Sequence, residues 1–166
     1  MTWGIPTGLF VQIHVAISLI GIVSGFVVLY GLLTGQRLGG WTALFLATTV
    51  LTSVTGFPLP PFGFDPPRAI GVTSLVLLAL AIAALYVFHL VGAWRWIYIG
   101  SAVVALYFNV FVGVVQSFQK LPFLHALAPT QSELPFVVTQ LAVLTIFIVL
   151  GILALIRFHP EARIAA

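Results

Sequence analysis

Polar side chains inside apolar segments are the residues of this chain that could do chemistry. The stretch NVFVGVVQSFQK carries Asn109, Gln116 and Lys120 at the end of a long apolar run. At about 100° per residue in an α-helix, these three positions fall on one face. His14 lies in the first apolar run in the same way. Because amide and ionisable groups are costly in lipid, such residues indicate either bonding between helices or a ligand site.

The same arithmetic gives one polar face to the first and second apolar runs. His14, Ser18, Gly21 and Gly25 share a face of the first, while Thr52 and Thr55 share a face of the second. Most of these groups fall in one half of the predicted bundle, which we take as its outer half. The candidate ligand-binding residues are His14, Ser18, Thr52, Thr55, Asn109, Gln116, Lys120, Glu133 and Gln140.

Lys120 needs a negative partner on the same side of the membrane, and Glu133 is the nearer of two carboxylates along the chain. We predict that the two residues pair and hold the connection 119–135 over the outer polar groups. Within that connection we expect a short helix from about Phe123 to Leu127. Thr130 or Ser132 is predicted to cap the following helix.

Haem b is an alternative, since intramembrane histidines can bind its iron. His14 and His89 differ in predicted depth by roughly 15 Å or more at 1.5 Å per residue, so one haem cannot join them. His14 with His125, or His89 with His159, would need a loop or tail to fold back. The chain has no cysteine, which excludes thiolate metal ligands and covalent haem attachment.

A quinone-like or lipid-like amphipathic ligand fits the pattern better. The polar side chains could bind its head, and 14 phenylalanines with many aliphatic residues could surround its tail. No electron partner is evident in the sequence, so the chain is either a subunit of a larger complex or a binding protein without redox work. The same pattern is also compatible with a homo-oligomer, a structural subunit without a ligand or a small-solute transporter. No catalytic signature is present, which leaves enzymatic activity open.

The composition indicates an integral membrane protein. Of 166 residues, 61% are hydrophobic and 5% are charged, whereas about a quarter of a soluble domain is charged. The net charge of +3 comes without a basic cluster, which argues against nucleic acid as a partner. The first ten residues carry no lysine or arginine, so the first apolar segment is predicted to be a retained helix and not a cleaved signal.

Five apolar segments are long enough to cross a bilayer, which needs about 20 residues. We predict an all-α bundle of about five transmembrane helices in a single domain spanning residues 1–166. In the alternative with four spans, the second helix is only partly inserted. The connection 58–68, PLPPFGFDPPR, is expected to be extended because of its prolines. The predicted helices cover 9–33, 40–57, 69–91, 97–118 and 135–156.

The loop cations predict the orientation. Arg37, Arg95, Arg157 and Arg163 fall on one side, whereas Arg68 and Lys120 fall on the other. Cytoplasmic loops carry the excess of lysine and arginine. The sequence therefore predicts a multi-pass protein of a bacterial inner membrane, with a periplasmic N-terminus and a cytoplasmic C-terminus.

Overall fold

The computed structural model describes residues 1–59 and 66–159, and within them it is an all-α bundle, as predicted. No β-strand occurs in these described ranges. The helices are α1 (Thr7–Leu33), α2 (Gly39–Gly56), α3 (Pro66–Ile82), α4 (Ala93–Lys120), α5 (Pro122–Leu127) and α6 (Leu134–Arg157), with a π-helical turn at Ala83–Val87.

Four of the helices are long and apolar enough to cross a membrane. They are α1, α3 with its π-helical continuation, α4 and α6. The 18-residue α2 is not among them, since five threonines and three glycines lower its hydropathy. The protein is therefore a multi-pass membrane protein whose apolar helices suit a lipid bilayer.

The helix α4 lies at the centre of the bundle and contacts each of the other helices. Close approach of α1 depends on glycine. A Cβ added to Gly25 would lie 2.4 Å from Leu106 Cδ1 and 2.9 Å from the Phe45 ring. Both of these side chains are buried, so α1, α2 and α4 pack together here without room for a further methyl group.

Arginines mark one end of the bundle, which we call the inner end. Arg95 donates from Nη1 to the carbonyl oxygen of Phe158 at 2.5 Å. The Phe158 side chain is only 1% exposed, and its ring centroid lies 6.3 Å from that of Tyr98. Leu32 is buried close by. These four residues, Arg95, Phe158, Tyr98 and Leu32, form what we call the inner cluster, and they fix the end of α6 to α1 and α4.

The helix α6 is otherwise peripheral. Phe147 and Ala154 are its buried residues, and its remaining apolar side chains are exposed or half-buried in the isolated chain. Phe147 packs between Phe26 of α1 and Tyr107 of α4, with ring centroids 6.1 and 5.7 Å away. A wide apolar face of α6 is therefore free to contact lipid or another membrane subunit.

The break between the third and fourth helices differs from the prediction. The predicted helices 69–91 and 97–118 left residues 92–96 as the break, but α4 already begins at Ala93. The chain turns instead through the π-helical segment and three residues with positive φ, His89, Leu90 and Gly92. Phe88 stacks on Trp94 at 3.8 Å, with 3° between the ring planes, which stabilises this turn.

The connection 58–68 was predicted to be extended, but its last residues, from Pro66 onward, belong to α3. The helix begins at Pro66 and includes Pro67 and Arg68, because proline is tolerated in the first turn of a helix. Arg68 donates to the carbonyl oxygens of Phe57 and Leu59 and so joins α3 to the end of α2. The rest of that connection, residues 60–65, lies outside the described residues, as does Arg163.

Candidate functional site

His14 of α1 forms a hydrogen bond to the second helix. Its Nδ1 lies 2.8 Å from Thr55 Oγ1, and its Cε1 faces Gly56. The imidazole is half-buried, and among the described residues no group bonds to its Nε2. Two candidate residues, His14 and Thr55, are thus brought together near the outer end, which is the end opposite the inner cluster.

The hydroxyl groups of several candidates bond to their own helices. Ser18 donates to the His14 carbonyl at 2.7 Å, and Thr55 donates to the Leu51 carbonyl at 2.7 Å. Such back-bonding to residue i−4 is common for serine and threonine in helices. Thr52 differs, because its buried Oγ1 has no hydrogen-bond partner among the described residues.

Asn109 belongs to a different layer, nearer the middle of the bundle. Its Nδ2 donates to Thr49 Oγ1 at 3.3 Å. Gly21 of α1 faces this bond, since an added Cβ would lie 3.4 Å from both Asn109 Nδ2 and Thr49 Oγ1. The polar faces of α1, α2 and α4 therefore meet, but Asn109 bonds α4 to α2 and does not contact His14. Thr49 was not a candidate, because the predicted polar face of the second helix, with Thr52 and Thr55, includes its neighbour Thr48 instead.

Glutamines join α4 to the loop after α5. Gln116 Nε2 donates to Gln119 Oε1 at 3.4 Å, and Gln119 Nε2 donates to Gln131 Oε1 at 3.3 Å. Gln131 Nε2 then donates to the Val115 carbonyl at 2.9 Å. We call residues 121–133, which α5 and this loop form, the lid. Gln119 and Gln131 were not among the predicted site residues, although three glutamines in and beside the connection 119–135 indicated such a network.

The predicted pair of Lys120 and Glu133 is wrong. No ion pair forms within the described ranges 1–59 and 66–159, and Lys120 is exposed. The Glu133 carboxylate instead accepts from the Thr130 hydroxyl at 2.8 Å and from the N–H groups of Thr130 and Ser132 at 3.1 Å. Three nearby donors in its own loop satisfy Glu133, so it does not reach across to a flexible lysine.

These bonds also change the start of α6. Neither Thr130 nor Ser132 caps the helix, because Glu133 itself holds the N-cap position, without a side-chain cap bond. Desolvation favours the neutral carboxyl, but bonds from the Thr130 hydroxyl and from the backbone N–H groups of residues 130, 132 and 133 outweigh it. Together they lower the pKa of Glu133 from its usual value.

Gln140 lies between α6 and α4. Its Nε2 donates to the Phe111 carbonyl at 3.3 Å, while its Oε1 is buried without a partner among the described residues. The contacts of Gln140 therefore differ from those of His14, which faces α2. Gln140 leaves its amide oxygen unbonded, and His14 leaves one ring nitrogen unbonded, among the described residues.

The other three histidines are exposed. His125 is exposed on α5, and His89 and His159 are exposed at the inner end. Because the end of α2 contacts His14 and also adjoins the start of α3 at Gly71, His89 beyond α3 lies at the opposite end of the bundle. Within the part of the chain that the structure describes, no three side chains of the metal-binding types cluster together.

The described part of the bundle has an apolar groove on its side and a small hollow at its inner end. One is a groove of about 480 Å³ between α2 and α3, and its lining is apolar apart from Tyr86. The other, about 10 Å³, adjoins Thr42 and Tyr98 at the inner end. Neither is lined by a candidate residue. The polar side chains near His14 therefore lie outside both of these hollows.

Comparisons with known families, curated proteins and solved structures identify no similar protein. The class that the geometry defines is a small multi-pass helical membrane protein. Any more specific function has to be argued from the side chains described above.

Proposed function

We propose that this protein binds an amphipathic, quinone-like or lipid-like ligand at the outer end of its bundle, with the ligand's polar group at His14. The observation that carries the proposal is the state of this imidazole. Thr55 fixes one ring nitrogen at 2.8 Å, while Nε2 has no partner among the described residues. A half-buried, oriented histidine in a membrane helix is a functional group by default.

Two further atoms support a polar ligand or ordered water between the helices, one on the last turns of α2 beside Thr55 and one between α6 and α4. Thr52 Oγ1 and Gln140 Oε1 are buried and unbonded, whereas the large majority of buried polar atoms have a partner. The lid adds a cover that polar side chains hold to α4. We assign the remaining candidates, Ser18, Gln116, Lys120 and Glu133, to the walls and rim of this region.

Transport, haem binding and a purely structural role are less well supported. Transport would require a polar route to the inner end, where the apolar rings and side chains of the inner cluster are packed. Haem b would require a second axial histidine at the depth of His14, and the nearest in the chain's outer connections, His125, is exposed on α5. A structural role without a ligand would not explain why Thr52 Oγ1 and Gln140 Oε1 are buried without partners among the described residues.

The binding proposal is tested by thermal unfolding of the purified protein in detergent. Decyl-tailed benzoquinone, its reduced quinol and a bacterial lipid extract are each added, and a ligand at 100 times its Kd should stabilise the wild type by about 2.7 kcal/mol. His14→Phe should abolish the stabilisation, whereas His125→Phe is the matched control and should retain it. Absence of any shift in the wild type would refute the proposal.

We further propose that all five long helices cross a bacterial inner membrane, with the N-terminus periplasmic. The arginines at the inner end support this orientation. At 1.5 Å per residue, the 18 residues of α2 extend about 27 Å, close to the thickness of the hydrocarbon core. Reporter fusions after Arg37 and Arg163 should be cytoplasmic, and a fusion at Asp65 should be periplasmic. If the Asp65 fusion is also cytoplasmic, α2 does not span.

The exposed apolar face of α6 supports a partner role alongside ligand binding. It is suited to another subunit of a membrane complex or to a second copy of this chain, and lipid covers it otherwise. Crosslinking from Ile148, which is 53% exposed, would distinguish these cases. A crosslinked protein band supports a subunit, and lipid adducts alone support a monomer in the bilayer.

A further inference from the structure

The hydroxyl group of Thr55 takes part in two short contacts but has only one hydrogen. Its Oγ1 lies 2.7 Å from the Leu51 carbonyl oxygen and 2.8 Å from His14 Nδ1. A carbonyl oxygen can only accept, so the short contact to Leu51 requires the hydroxyl hydrogen. The hydrogen between Thr55 and His14 must then come from the imidazole, which makes Nδ1 the donor.

This assignment determines what the other side of the ring can do. A neutral imidazole carries one N–H, and with the hydrogen on Nδ1 its Nε2 is an acceptor. Nε2 is also the nitrogen that no described residue bonds. The protein thus holds His14 in the tautomer that presents a lone pair to whatever lies beside it.

We propose that the site recognises a hydroxyl group, so that the ligand is a hydroxyl-bearing amphipath such as a quinol or a long-chain alcohol. This inference rests on the proposed function. A quinone presents only carbonyl oxygens, and two acceptors facing each other form no hydrogen bond.

The first test determines the tautomer without any ligand. The chain has four histidines, and ¹⁵N-histidine labelling gives one pair of ring signals for each, with His14→Gln identifying the pair that belongs to His14. At pH 8, where a neutral imidazole predominates, we expect the proton on Nδ1. A proton on Nε2 would overturn the inference whatever the binding data show.

The second test compares matched ligands in the wild-type protein at the same pH. The first pair is a decyl-tailed quinol against its quinone, kept anaerobic, and the second is a long-chain alcohol against its methyl ether. We expect the hydroxyl member of one pair to bind on the order of threefold to tenfold more tightly, as one hydrogen bond allows. The pair that discriminates identifies the source of the hydroxyl.

The outcomes separate the two proposals. Binding without preference, or preference for the quinone or the ether, overturns the hydroxyl inference and leaves the proposed function standing. No binding by any of the four compounds overturns the hydroxyl inference, and it refutes the proposed function as well when the lipid extract also gives no shift.

A variant pair tests the role of Thr55. Thr55→Val removes the acceptor for Nδ1–H and should reduce the hydroxyl preference to about twofold or less. Thr73→Val is the matched control, because Thr73 makes the same kind of bond to the carbonyl four residues back but has no partner on another helix among the described residues. If both variants retain the full preference, Thr55 does not set the tautomer and the inference fails.

Discussion

The two ends of the bundle are held together by different interactions. At the inner end, buried rings and one arginine join α1, α4 and α6, and Phe158 is 1% exposed. At the outer end, amide and hydroxyl side chains form bonds beside the ring contact of Phe118 with Phe136, and Thr52 Oγ1 stays unbonded among the described residues. Close apolar packing excludes a ligand, whereas polar atoms that lack hydrogen-bond partners can still bond to one. This difference favours ligand binding at the outer end over transport of a solute through the bundle.

The largest effect is expected from loss of packing at the inner end. Phe158→Ala removes a buried aromatic ring and should lower the free energy of unfolding by about 3–5 kcal/mol, measured by denaturation in detergent. Phe123→Ala is the control, since Phe123 is 66% exposed. Ligand-induced stabilisation should persist in both variants. Loss of ligand binding in Phe158→Ala at a temperature where the protein is folded would show that the two ends are coupled.

A smaller effect is expected midway between the ends, where α1 approaches α2 and α4. Gly25→Ala places a Cβ against Leu106 and Phe45 and should cost about 1–3 kcal/mol by overpacking. Gly100→Ala is the control, because its added Cβ would meet nothing within 4 Å. The same denaturation experiment applies to both. Equal stability of the two variants would mean that the bundle relaxes easily at this level.

The polar bond in the middle layer should contribute less. A double-mutant cycle with Asn109→Ala and Thr49→Val should give a coupling energy of about 0.6 kcal/mol, the average for such bonds in membranes. Thr48→Val replaces Thr49→Val in the control cycle, because the Thr48 hydroxyl bonds to its own helix. Equal coupling in the two cycles would show that the bond to Thr49 is not specific.

The smallest effect concerns the lid alone. Because folding lowers the pKa of Glu133, its bonds stabilise the loop above the unfolded pKa of about 4.3. This contribution is lost as the pH falls through the lower folded value. Between pH 6 and 3, the amide NMR shifts of Thr130 and Ser132 should titrate together, with an apparent pKa below about 4.3. Glu133→Gln should abolish the titration, and an apparent pKa at or above that value would refute the assignment.

The all-α class could be predicted because backbone N–H and C=O groups in lipid must form hydrogen bonds within the protein, and a helix satisfies all of them. Apolar runs mark where helices can form, and helical phase placed Gly21 and Gly25 on the face that packs against α2 and α4. The π-helical turn at Ala83–Val87 carried no such signal. It depends on how α3 meets its neighbours and on the stacking of Phe88 with Trp94.

The site was harder to predict, since a single sequence gives the face of a residue but not its partner. Glu133 bonds within its own loop, and Thr49 rather than Thr48 meets Asn109. Both outcomes depend on small differences in distance between segments. The bond from His14 to Thr55 joins residues 41 positions apart, so the tautomer could not be inferred before the helices were placed.

The unequal helix lengths have a consequence for the surrounding membrane. At 1.5 Å per residue, α2 extends about 27 Å, whereas the 27-residue α1 and the 28-residue α4 extend about 40 Å. If α2 crosses the bilayer, as we propose, lipids beside it contact a shorter hydrophobic surface than lipids beside α1. A bilayer answers such mismatch by local thinning or by tilting the longer helices, at a fraction of a kcal/mol per ångström. The protein should thus deform its bilayer on one flank and partition into thinner membranes.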